Sequence, residues 1–152
     1  MSPMSSQPRV LDFAELKKTL DAEGSRPLET LLKKSGVVYV LMVTRDRCSS
    51  CQEQKPLFET LANRTKKKHA DKIEFFRVHS SYSRDGTEEA KQSLDMFQCV
   101  GFPTYIIAVR DNEGKALEIY RSLDAPVREI ERNIKLGFTV LDLIQERSET
   151  TT

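Results

Sequence analysis

Val37-Val38-Tyr39-Val40-Leu41-Met42-Val43 runs through Thr44-Arg45-Asp46-Arg47 into Cys48-Ser49-Ser50-Cys51. The apolar run is uninterrupted and rich in β-branched residues, the composition of a strand buried on both faces. Beyond it, Leu57, Phe58, Leu61 and Ala62 give a helical stripe that runs to about Lys68. The cysteines therefore stand at the end of a buried strand and the start of a helix. A helix N-terminus offers unpaired N–H groups and a partial positive charge, which favour a thiolate over a thiol. A thiolate is the species that attacks a disulfide. On this reading the pair exchanges disulfides.

Working outward, Val10, Phe13, Leu16 and Leu20 are spaced for a first amphipathic helix ending near Gly24. Ser25 and Pro27 open a second short helical piece with Leu28, Leu31 and Leu32 inward, closed by Gly36. Ile73–Val78 is a second strand, Ser80–Thr87 a polar loop, and Glu88–Phe97 a helix with Leu94 and Phe97 inward. Thr104–Val109 and Ala116–Tyr120 are strands joined by Asp111-Asn112-Glu113-Gly114, a hairpin signal. Val127, Ile130, Ile134, Leu141 and Ile144 mark a long C-terminal helix. That order predicts an α/β fold with a central mixed sheet and helices on both faces. Residues 1–8 and 147–152 read as disordered tails around one domain, 9–146.

The chain of 152 residues, 38% apolar and 31% charged, suits one globular domain with a modest core. A net charge of +1 points to neither nucleic acid nor a membrane surface. The basic run Arg64-Thr65-Lys66-Lys67-Lys68-His69 falls at a helix end, where cations complement the dipole, and reads as a solvated face. No stretch approaches the ~18 apolar residues of a membrane span. The polar N-terminus lacks the apolar segment of a signal peptide, so the expected compartment is the cytoplasm. Thiols are kept reduced there, and a CxxC is more often catalytic or metal-binding than structural.

Two further features bear on the cysteine pair. Pro56 lies inside the predicted helix, where it removes a hydrogen bond and should kink the axis. Gly101-Phe102-Pro103-Thr104 directly precedes a strand. Together with Cys48-x-x-Cys51 and the order of elements, these marks resemble the thioredoxin family over about residues 10–146. The resemblance implies a thioredoxin-like fold and a thiol–disulfide oxidoreductase. Cys48, more exposed, would be the attacking thiolate and Cys51 the resolving thiol. Pro103 would be the family's cis-proline beside the pair, keeping metal off the thiolates. The Phe102 backbone would pair with an extended substrate strand. No cofactor beyond the redox-active disulfide is implied. The partners implied are protein disulfide substrates and a thioredoxin-reductase-type donor for electron transport.

The chain also departs from that pattern. Arg47 replaces the Trp that precedes the first cysteine in thioredoxins. A cation there favours the Cys48 thiolate, against the plainer reading of a solvated arginine. Met42 stands where thioredoxins carry a buried acid that assists proton transfer to the second cysteine. Ser49-Ser50 replaces Gly-Pro and lacks the imidazole of the isomerases, which leans the couple to the reducing end of a scale from about −270 to −120 mV.

The remaining chemistry-bearing side chains weigh less. Cys99 reads as a small buried hydrophobe, with a third redox or dimer-forming thiol as the sharper alternative. His69, at a helix end, and His79, in a strand on the far side, match no zinc spacing. Competing with the oxidoreductase are a partner-binding module or redox sensor with little turnover, and a metal-binding structural domain.

Overall fold

The computed structural model describes residues 7–24, 26–82 and 86–150. Five strands form one sheet in the order β1-β3-β2-β4-β5, made of β1 (Arg9–Asp12), β2 (Val38–Arg45), β3 (Ile73–Ser80), β4 (Thr104–Arg110) and β5 (Ala116–Leu123). β1 and β2 run parallel to β3 on either side of it, β4 runs antiparallel to β2, and β5 runs antiparallel to β4. The helices are α1 (Phe13–Glu23), α2 (Pro27–Leu31), α3 (Ser49–His69), α4 (Glu88–Phe97) and α5 (Val127–Thr150). This is the mixed sheet with helices on both faces that the sequence predicts.

β2 is the centre of the molecule because its side chains alternate between two dry cores. Tyr39, Leu41 and Val43 pack with Phe13, Leu16 and Leu20 of α1 and Phe97 of α4. Val38, Val40 and Met42 pack on the other side with Phe58, Leu61 and Ala62 of α3 and Ile130 and Ile134 of α5. A strand buried on both faces reads as a continuous apolar run for this reason. Gly137 lets α5 close on the sheet: a Cβ there would lie 3.1 Å from a methyl of Val38.

Several expectations need correcting. Val10 belongs to an edge strand and is 56% exposed, so the first helix begins only at Phe13. Asp12 caps that helix by accepting the Glu15 N–H at 3.3 Å. Pro8, assigned to a tail, is buried. The second helix stops at Leu31, well before Gly36, and the expected opening residue Ser25 lies outside the described residues. Leu57 is 53% exposed, because the buried stripe of α3 is set by Cys51, Phe58, Leu61 and Ala62 and Leu57 falls at its margin. Ser80 is the buried last residue of β3 rather than the start of a loop, and residues 83–85 of that loop lie outside the described residues.

At the C-terminus α5 continues to Thr150, so Arg147–Thr150 is helix rather than tail. Gln145 donates to Glu149 one turn on, and no Gly or Pro interrupts the segment. The remainder of the two expected tails, residues 1–6 and 151–152, lies outside the described residues. The basic run is not wholly solvated either. Lys66 pairs with Glu74 at 3.4 Å, and His69 stacks on Phe138 with ring centroids 4.2 Å apart.

Candidate active site

The chain leaves β2 at Arg45 and turns through Asp46 and Arg47 before α3 begins. Arg47 has φ +55°, a left-handed backbone that reverses the chain in one step. Cys48 follows with extended backbone as the N-cap of α3, and its Sγ accepts the Cys51 N–H at 3.2 Å. A sulfur thus takes the place a Ser or Asp oxygen fills at other helix starts. Cys48 and Cys51 are joined as a disulfide, their Cα atoms 5.2 Å apart. Both are 5% exposed, so the expected greater exposure of Cys48 is absent. The reason is the capping geometry, which turns Cys48 Sγ back over the first turn of the helix. Ser49, exposed, and Ser50, half-buried, are the first helical residues, and Pro56 lies in the same helix a turn beyond Cys51.

The Gly101–Thr104 segment reaches the same end of the sheet through pairing: Thr104 opens β4 opposite Val43 of β2. The Phe102–Pro103 peptide bond is cis, and Pro103 is buried. The Pro103 carbonyl accepts from Asp124 N at 2.8 Å, and Thr104 Oγ1 donates to the Gly101 carbonyl at 2.7 Å. Among the described residues no hydrogen bond engages the Phe102 backbone. Met42 sits in the dry core on the α3 side with Phe58 and Tyr105. Tyr105 donates to Gln54 of α3, which in turn donates to Asp124. Burial, then Asp124, push the Tyr105 phenol up, so it stays a donor.

Sequence reasoning missed the polar cluster that holds the cysteine loop. Asp46 is its hub: its carboxylate takes the His79 Nε2–H at 2.8 Å and the Tyr82 N–H at 2.9 Å, and its own N–H donates to Ser80 O at 2.9 Å. The Tyr82 N–H first, then His79, hold the Asp46 carboxyl below the usual carboxylate range. Arg77 NH1 and Thr44 Oγ1 lie 3.2 and 2.9 Å from His79 Nδ1. A guanidinium can only donate, so Nδ1 is an acceptor and the ring proton sits on Nε2, toward Asp46. His79 therefore belongs at the base of the cysteine loop, not on the far side, because β3 pairs it with Thr44.

Arg45 completes the cluster. Its NH1 donates to the Asp46 and Arg47 carbonyls at 2.8 Å each and to Tyr82 Oη at 2.7 Å. The only sequence signal for this group was polar residues ending two apolar strands, Thr44 to Asp46 and His79. Cys99 stands apart, half-buried after α4, with Arg121 NH1 at 3.5 Å. Burial pushes its thiol up, away from the reactive thiolate.

No protein-family model matches the chain, and no curated protein does. Solved structures do. A Trichomonas vaginalis thioredoxin superposes with a TM-score of 0.59 at 11% identity, over 86% of this chain and 97% of that one. A thioredoxin from Nicotiana alata gives 0.55 at 18%, over 90% and 98%. A thioredoxin f2 in complex with ferredoxin:thioredoxin reductase gives 0.54 at 12%, over 89% and 98%. Identities this low speak to the fold alone. The chain has the thioredoxin-like fold, with Cys48 and Cys51 as its CxxC pair.

Proposed function

We propose that this chain is a thiol–disulfide oxidoreductase that reduces protein disulfides through Cys48 and Cys51. The observation that carries the reading is the seat of the pair: Cys48 caps α3, its sulfur accepting the Cys51 N–H at the positive end of a 21-residue helix. In the dithiol state the Cys48 thiolate attacks one sulfur of a substrate disulfide, and the other sulfur leaves as a thiolate and takes a proton. Cys51 then attacks Cys48 Sγ in the mixed disulfide. The second substrate sulfur leaves, and the Cys48–Cys51 disulfide closes. Two electrons reach the substrate, carried by the pair with no other redox group.

The Phe102 backbone, without a hydrogen-bond partner among the described residues, suits pairing with an extended substrate segment, with Pro103 shaping that edge. Ser49 and Ser50 set the couple toward the reducing end, as a thiol-reducing cytosol requires. The donor that restores the dithiol is a reductase of the kind seen with thioredoxin f2. A second reading, a redox sensor or partner-binding module with little turnover, draws on two observations. Both sulfurs are 5% exposed, and an apolar Met42 occupies the position of the expected proton carrier.

Insulin reduction driven by dithiothreitol, and separately by a thioredoxin reductase, tests the proposal. Cys48→Ser is expected to abolish almost all of the rate, and a variant at full rate overturns the reading. Trapped mixed disulfides without turnover replace it with the sensor. A couple near −270 mV in glutathione buffers supports a reductant, and one near −120 to −180 mV an oxidant or isomerase.

A further inference from the structure

Beside the cysteine pair, rings and cations alternate in a ledge. The Arg45 guanidinium lies 5.7 Å from the Phe102 ring centroid and 5.8 Å from that of Tyr82, and Arg47 lies 5.3 Å from Tyr82. Arg45 is fixed in place by the bonds of its NH1 to two carbonyls and the Tyr82 hydroxyl. Arg47 is exposed. Among the described residues neither guanidinium has a salt-bridge partner. Two neighbouring carboxylates are already engaged. Asp46 serves His79 and Tyr82 N and feels Arg47 only as a minor influence, and Glu89 accepts from Ser81 N.

The ledge opens into a groove of about 300 Å³ lined by Arg45, Tyr82, Lys91, Leu94, Gly101 and Phe102. Leu94 and Phe102 give its lining apolar surface, Lys91 adds a third cation, and among the described residues the Phe102 backbone has no hydrogen-bond partner. A chain with a net charge of only +1 thus gathers three cations here that have no salt-bridge partner among the described residues, beside the backbone where a substrate strand would lie. Guanidinium forks match carboxylates in plane and spacing, and charge matched across an interface raises association rates and selects partners.

We propose that this ledge is the specificity surface of the pair and selects protein disulfides whose cysteine is flanked by acidic residues in an extended segment. The inference rests on the redox reading. Arg45 and Arg47 are specificity-determining residues within it, and Lys91, which lines the groove, a further contact.

The test uses the reduced full-length chain and three short peptides, each with one cysteine activated as a pyridyl disulfide and flanked by Glu, Gln or Lys. Cys48 attacks the peptide sulfur and expels thiopyridone, which is followed by absorbance. Cys51 then releases the peptide thiol, which is followed by mass spectrometry. The Glu peptide is expected to react about threefold to tenfold faster than the Gln peptide, with the Lys peptide slowest. That ratio should shrink toward one in high salt. It should shrink also in Arg47→Asn, since Asn tolerates the left-handed backbone, and in the surface variant Lys91→Glu. Equal rates for all three peptides, or a preference that survives both variants, overturn the inference while leaving the redox reading intact. If no peptide reacts faster with the wild type than with Cys48→Ser, both fall together.

Discussion

Within one strand, β2 changes what holds it in place. From Val38 to Val43 every side chain is buried, and the one polar atom, Tyr39 Oη, accepts the Lys34 N–H at 2.9 Å. From Thr44 onward the chain is held by named atoms: Asp46 by His79, Tyr82 and Ser80, and Arg45 by two carbonyls and a phenol. Burial has no direction, so the first half tolerates exchange of similar side chains, each worth roughly 1.5–3 kcal/mol buried. Hydrogen bonds have direction, so the second half fixes the position of Cys48 and little else. The difference separates a region that makes the fold from one that aims it.

The largest expected effect lies in the first region. Leu41→Ala should cost about 2–5 kcal/mol in urea unfolding, because the sheet cannot collapse into the gap. The reduction potential of the cysteine couple should not move while the variant is folded. If the potential shifts with stability, the two halves of β2 are not separable. Asp46→Asn should invert that signature. An amide can accept from His79 or from the Tyr82 N–H, yet presents its own donors to the other. Unfolding should change less than in Leu41→Ala, while amide hydrogen exchange at Tyr82 and Cys51 quickens and the potential moves.

How far each region was legible follows from the same contrast. Burial writes a pattern along the chain, and the runs Val37–Val43, Ile73–Val78 and Thr104–Val109 carried the sheet. The cysteine pair and Gly101–Thr104 were legible because their chemistry is local. The polar cluster was not: Asp46 and His79 are 33 residues apart and Arg45 and Tyr82 37, and nothing in a linear pattern couples them. Only the parallel pairing of β2 with β3 brings them together. The edge strand β1 was lost differently. Val10 and Phe13 keep helical spacing across a strand–helix junction, although Asp12 followed by Glu15 marks a helix start.

Acidification gives a smaller effect, with a definite sign. The Asp46 carboxyl titrates below its unfolded value, held by the Tyr82 N–H and by His79. Its contribution is therefore complete above about pH 4, the unfolded range for aspartate, and is lost as pH falls through the lower folded value. Urea midpoints of wild type and Asp46→Asn should differ at pH 7 and draw together as pH falls below the usual carboxylate range. A gap that widens on acidification would mean that Asp46 is not ionised in the folded state.

The smallest effect tests the sheet's edge against its centre. Val10 and Phe13 share one spacing in the sequence, yet Val10 is 56% exposed on β1 and Phe13 is fully buried at the start of α1. If Val10 faced the core as a helical residue, Val10→Thr would bury a hydroxyl and destabilise measurably. On an exposed edge strand threonine keeps the β-branched shape and meets water, so stability should stay within about 0.5 kcal/mol of wild type. Phe13→Ala, three residues on, should cost about 3–5 kcal/mol by the same measurement. Equal losses at the two positions would return Val10 to the core and β1 to a helix. Unequal ones mark the junction at Asp12, where the period along the chain changes from two residues to nearly four.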